Sequence, residues 1–215
     1  MTTNNLFDLS LSYAKVKKLL KAGANPNEKN PFGITPLFIQ HSSKIVELLL
    51  QYGANPNEKD NHGNTPLYWH SDEKKIKLLL KSGANPNEQN NSGNTPLHYY
   101  KRKGSVKLLL EAGANPNEQS IYGATPLHWS KFEGAVILLL EYGANPNIKS
   151  IFGETPLDEN ENVRKIYRNM CANKIKQFIK NCKWYKLHRL SKTKAFAEWF
   201  YSDLGKKAEY RKFIC

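Results

Sequence analysis

The chain has 215 residues, 40% of them apolar, and a net charge of +13; no stretch reaches the roughly 18–20 consecutive apolar residues that a bilayer-spanning helix needs, which argues against an integral membrane protein. That length holds one large domain, or one domain with an appendage, and buries a workable core either way. The charge is uneven, with an excess of +9 from Cys171 onward and +4 on the first 170 residues, so positive charge is a property of the tail.

At the start, Met1 to Ser12 lacks the basic opening and unbroken apolar run of a secretory signal, so a cytoplasmic or nuclear setting is expected. Leu6-Phe7 to Asn27 then reads as a degenerate first copy of a unit that recurs down the chain. Gly-Ala-Asn stands at Gly23, Gly53, Gly83, Gly113 and Gly143, and Thr-Pro-Leu at Thr35, Thr65, Thr95, Thr125 and Thr155, both series stepping by 30. Two motifs locked to one period signal a solenoid in which each unit contacts its neighbours. Within the unit Asn64 to Gly93, Thr65 can cap a helix whose first residue is Pro66, where the missing N–H costs nothing. That first helix is short. After a polar break at Ser71 and Asp72, Lys75 to Leu80 has apolar residues at helical spacing, and Gly83 stops this second helix. Asn85-Pro86-Asn87-Glu88 through Gly93 is rich in turn formers and predicts an exposed turn or hairpin between units.

This pattern resembles the ankyrin repeat, on Gly93, Thr95-Pro96-Leu97-His98, Leu108-Leu109-Leu110 and Gly113-Ala114-Asn115-Pro116-Asn117. The resemblance implies an all-α, ankyrin-type repeat solenoid of helix-turn-helix units with hairpin or turn fingers and a C-terminal helical extension. We place the repeats at 1–170: the degenerate first unit, four full units and an incomplete last one from Ile151 to about Met170. The usual period of 33 is here 30, and counting from Leu67 to Ile76 puts the loss at the end of the first helix. The family's small Ala-Ala pair is absent from that helix, where Tyr68-Trp69-His70, His98-Tyr99-Tyr100 and His128-Trp129-Ser130 stand. Aromatic bulk is expected to fill the volume of the missing turn.

The resemblance also implies a non-enzymatic scaffold that binds a protein partner through finger tips and the concave helix surface. Before each finger glycine stand Phe32, His62, Ser92, Ile121-Tyr122 and Ile151-Phe152, and aromatic or aliphatic residues on an exposed loop commonly mark contact sites. Folding back onto neighbouring fingers is the competing reading. Trp69, Tyr99 and Trp129 lie about 200° round the helix from the core Leu of their units, as a contact stripe or as core. His98 and His128 match the family's structural His and are expected to hydrogen-bond within the stack.

The tail 171–215 is predicted to be helical, basic and aromatic-rich. Positions 162–197 hold eleven Lys or Arg and no Asp or Glu, and Ile175, Phe178, Ile179 and Cys182 follow helical spacing among Lys174, Lys176, Lys180 and Lys183. Such a helix can cap the open end of the solenoid. With Lys186, Arg189, Trp184 and Tyr185 it can also bind nucleic acid or another polyanion, a calmodulin-like protein or an anionic membrane surface. The segment Ala195 to Tyr201 carries four aromatics and belongs against the last repeat or a partner. This combination is similar to tails on repeat proteins of large cytoplasmic DNA viruses, and the Lys-rich, Asn-rich composition fits such a virus or an intracellular pathogen, acting in the host cytoplasm. Cys171, Cys182 and Cys215 are an odd number without metal spacing, read as free thiols. No phosphate loop, metal-spaced His/Cys set or nucleophile elbow is present, so neither catalysis nor a cofactor is expected.

Overall fold

The computed structural model describes residues 6–181, except the side chains at 175 and 178–181. The chain divides into two compact units between Val163 and Arg164. In the first, helices alternate in length. Four-residue helices follow each Thr-Pro: α2 (Pro36–Ile39), α4 (Pro66–Trp69), α6 (Pro96–Tyr99), α8 (Pro126–Trp129) and α10 (Pro156–Glu159). Nine-residue helices fill the rest: α1 (Tyr13–Lys21), α3 (Ser43–Gln51), α5 (Glu73–Lys81), α7 (Lys103–Glu111) and α9 (Glu133–Glu141). No strand occurs among the described residues, and the fingers are turns. The fold is therefore an all-α repeat solenoid. From α10 the chain enters α11 (Glu161–Asn181), which carries it out of the repeats.

Each unit contributes three apolar columns to one continuous core. Leu37, Leu67, Leu97 and Leu127 come from the short helices, and the pairs Val46/Leu49, Ile76/Leu79, Val106/Leu109 and Val136/Leu139 from the long ones; all are at most 1% exposed. The pair spacing of three residues keeps both side chains on the buried face of a nine-residue helix. Long helix packs on the next long helix and short on the next short, all along the stack. The long helices end in a left-handed glycine: at α5, Gly83 has φ +87°, its N–H donates to Leu80 and the Ala84 N–H donates to Leu79. Those two bonds satisfy carbonyls that a helix C-terminus otherwise leaves free.

Polar side chains tie one unit to the next in repeated register. Asn27, Asn57, Asn87 and Asn117 each donate Nδ2–H to the carbonyl of Gly53, Gly83, Gly113 or Gly143 at 2.9 Å. Their Oδ1 atoms accept the backbone N–H of Asn55, Asn85, Asn115 and Asn145 at 2.7–2.8 Å. Alongside, Lys29 and Lys59 reach the carbonyls of Lys59 and Gln89 and pair with Glu58 and Glu88 at 2.7 and 2.9 Å. These ammonium groups hold both carboxyls below the usual carboxylate range.

The missing turn is filled otherwise than the sequence suggests. Trp69, Tyr99 and Trp129 are 41–50% exposed, whereas the next residues, His70, Tyr100 and Ser130, are buried. Position 70 lies three residues, or 300°, past Leu67 and so returns to its side, while position 69 lies 200° away. A four-residue helix leaves every C-terminal carbonyl without a helical partner, and the residue after the next short helix supplies donors to them. His70 donates Nε2–H to Leu37 at 2.8 Å, the Tyr100 hydroxyl donates to Leu67 and His70, and Asn160 donates to Ser130 at 2.7 Å. Ser130 is too short to cross and bonds Pro126 of its own helix. The replacement for the lost turn is thus a set of hydrogen-bond donors more than aromatic volume.

Tyr100→Phe removes that donor while keeping the ring. The carbonyls of Leu67 and His70 then lack it in a buried site, and stability is expected to fall by about 1–3 kcal/mol. Urea unfolding followed by circular dichroism reads the change, and an unshifted midpoint would show that water replaces the hydroxyl.

In α11, Lys174 and Lys176 are exposed. The side chain of Lys180, and Lys183, Lys186, Arg189, Trp184 and Tyr185 as a whole, lie outside the described residues, as does the segment 195–201. Cys171 is disulfide-bonded, which corrects the free-thiol reading.

Candidate binding face

Along the outer side of the short helices, Trp69, Tyr99 and Trp129 fall one per unit. Each is braced edge-on by a neighbouring ring: Trp69 by Phe38 at 6.3 Å between centroids, Tyr99 by Tyr68 at 5.4 Å, and Trp129 by Tyr99 and His98, both at 5.9 Å. The Trp69 indole N–H also donates to Asp60 at 3.3 Å, and the Tyr99 hydroxyl accepts from Asn94 at 3.2 Å. These contacts fix the rotamers of half-exposed rings. Open grooves of about 420, 340 and 590 Å³ lie at three successive unit boundaries, between Ile39 and Trp69, Trp69 and Tyr99, and Tyr99 and Trp129.

Behind the stripe, His98 and His128 hold the units together. The carbonyl of Ala124 can only accept, so His98 Nε2 carries the proton toward it at 3.1 Å, and Nδ1 accepts the Thr95 N–H at 3.0 Å. His128 repeats this with Glu154 and Thr125. At the same position Tyr68 uses its hydroxyl to reach Asn94 of the next unit, and Phe38 has no polar group. Correspondingly the buried hydroxyls of Thr35 and Thr65 lack a partner, while those of Thr95 and Thr125 have one.

Burial holds the imidazoles of His70 and His98 below the ordinary histidine range. An unfolded His binds a proton near pH 6.5, and these folded ones only at lower pH, so between the two values the unfolded chain holds more protons. Stability is therefore expected to rise with pH through that window and to fall on acidification below about pH 6.5. The Glu58 and Glu88 ion pairs are lost lower, below the usual carboxylate range. Melting temperatures at pH 7.5 and 5.5 test this; His98→Gln should flatten the difference, and an equal loss in the variant would remove His98 from the account.

The finger tips form a second surface. Asn30, Asp60, Asn90, Ser120 and Ser150 each accept the backbone N–H two residues on, at Phe32, His62, Ser92, Tyr122 and Phe152. That turn points the tip residue outward. Adjacent fingers are joined by single backbone bonds, from Asn61 to Phe32, Asn91 to His62, Ile121 to Ser92 and Ile151 to Tyr122. Phe32, Ile121, Tyr122, Ile151 and Phe152 are 49–74% exposed, and His62 is exposed too.

Sequence reasoning missed the rim of the grooves. Lys101 and Arg102 line the middle one, Lys101, Lys131 and Phe132 the last, and Lys75 and Leu9 the first. Their signal lay in the polar breaks between short and long helices, which read as connectors only. Among the described residues, no cluster of three His, Cys, Asp or Glu is placed to hold a metal ion, and no helix is long and apolar enough to cross a membrane. The sequence matches the family model for ankyrin repeats (3 copies) over residues 10–88 and again over 70–150. No curated protein matches it.

Proposed function

We infer, since this chain belongs to the ankyrin repeat family, that it is a non-enzymatic scaffold binding a protein through the short-helix face and the finger tips. Ankyrin repeats are protein–protein interaction modules. The observation that carries the reading is the row of Trp69, Tyr99 and Trp129, half exposed yet braced. Aromatic side chains ordered before binding lose little further entropy and dominate contact energies. Phe32, His62, Ile121, Tyr122, Ile151 and Phe152 form the second contact zone.

Affinity capture with the full chain tests this, comparing wild type with Trp69→Ala/Trp129→Ala and with Phe32→Ala/Tyr122→Ala/Phe152→Ala. Loss of two anchors should weaken a captured partner by at least tenfold, about 1.4 kcal/mol. Undiminished capture by both variants overturns the reading. Nuclease-sensitive capture that weakens steeply with salt would instead assign binding to the basic segment after Cys171.

A further inference from the structure

The three grooves differ in charge in a way that specifies a ligand. The first is walled by Leu9, Phe38, Ile39 and Trp69 and carries both a carboxylate, Asp72, and a cation, Lys75, beside His41, His70 and Ser71. The middle groove has Lys101 and Arg102 and no carboxylate, and the last has Lys101 and Lys131 and no carboxylate. Lys101, Arg102 and Lys131 are exposed, and none of them forms an ion pair among the described residues. Unneutralised cations beside a concave apolar wall raise the local concentration of anionic groups and set the orientation of what binds.

We propose that the short-helix face takes an extended acidic peptide segment, with an apolar side chain seated in each groove and its carboxylates on Lys101, Arg102 and Lys131. This rests on the reading of that face as the binding face. The grooves lie at three successive unit boundaries, in register with the thirty-residue repeat, so a linear ligand can occupy all three. Its apolar N- or C-terminal anchor fills the Leu9 and Trp69 groove, and its acidic part covers the other two. The rings favour a peptide over single-stranded nucleic acid. Tyr99 is in T-shaped contact with both Tyr68 and Trp129, so the stripe offers grooves between rings, while successive bases need free ring faces.

A phage-displayed library of random twelve-residue peptides, selected on the full chain and depleted on Trp69→Ala/Trp129→Ala, provides the test. Depleting on the aromatic variant removes peptides held by the basic tail or the fingers without choosing for charge. The surviving peptides should carry Asp and Glu at about three times the library frequency together with Leu, Phe or Trp. Synthesised, they should bind Lys101→Ala/Arg102→Ala/Lys131→Ala at least tenfold more weakly, about 1.4 kcal/mol. If survivors are apolar without acidic enrichment and indifferent to the charge variant, the acidic ligand is overturned and the binding face stands. If nothing survives depletion, the face falls with it and only the fingers remain. A fifteen-nucleotide oligothymidylate that binds more tightly than every peptide, and loses that affinity in the charge variant, also overturns the proposal. Should the double aromatic variant not fold, Trp129→Ala alone, which leaves the Phe38–Trp69 contact in place, serves for depletion.

Discussion

Leu97→Ala in the central short helix is expected to cost about 2–5 kcal/mol, the range for emptying a well-packed leucine site. Leu97 is 1% exposed and lies in a column with Leu67 and Leu127. α6 packs on both α4 and α8, so the cavity opens two unit boundaries together and collapse from one side cannot close it. In a stack whose stability is a sum over units and boundaries, damage at the centre also divides the cooperative array. Equilibrium urea unfolding should shift from one transition toward two, with a lower first midpoint. The matched change Leu19→Ala in α1, at a site 6% exposed, touches one end and should lower stability by less while leaving a single main transition. Equal effects at both positions would show that the solenoid melts as an indivisible block.

The second large effect falls on a finger. Gly93→Ala is expected to cost about 2–4 kcal/mol, through a positive φ that side chains resist and through overpacking. Gly93 has φ +70°, and a Cβ there would stand 2.8 Å from the Ile121 N and 3.1 Å from the Ser120 carbonyl carbon. Both neighbours are backbone, so neither can rotate away. The Ile121 N–H bond to Ser92 at 3.1 Å must open, which releases the tip holding Ile121 and Tyr122. Gly83→Ala is the control: it shares the positive φ, but its Cβ would meet nothing within 4 Å. Its cost should stay near the strain alone, about 1 kcal/mol. Thermal melts of both separate strain from collision, and equal losses would mean that the fingers yield easily.

The period, the two helices per unit, the glycine stops and the core leucines were all legible, because each is set by spacing along one unit. Thr-Pro-Leu announces a helix start wherever it occurs, and the 30-residue step announces stacking. Features that depend on which atom of one unit faces which atom of the next were not legible. Trp69 and His70 are adjacent in the stretch expected to fill the missing turn, with Trp69 left open between contact stripe and core, yet one is half exposed and the other buried. Helical phase alone separates them, and in a helix of four residues the phase at its last turn is set by the carbonyls of the preceding unit. Lys101, Arg102 and Lys131 were hidden for a related reason: a connector's charge gains meaning only when the stripe beside it is known to be open. The outward turn of the finger tips was legible from their turn formers, and the bonds linking each tip to the next were not.

The ties between units fall into two kinds. The asparagine and finger bonds use the same atoms at every boundary, so any unit could be joined to any other through them. Positions 40, 70, 100, 130 and 160 hold five different residues, Gln, His, Tyr, Ser and Asn, of which all but Ser130 donate across a boundary. A boundary rebuilt by deleting or duplicating thirty residues would keep the common fastenings but match a new donor with carbonyls it did not evolve beside. The chain is thus interchangeable in outline and individually keyed at its joints. That keying fixes the order of the grooves, and with it the direction in which a partner's sequence would have to run.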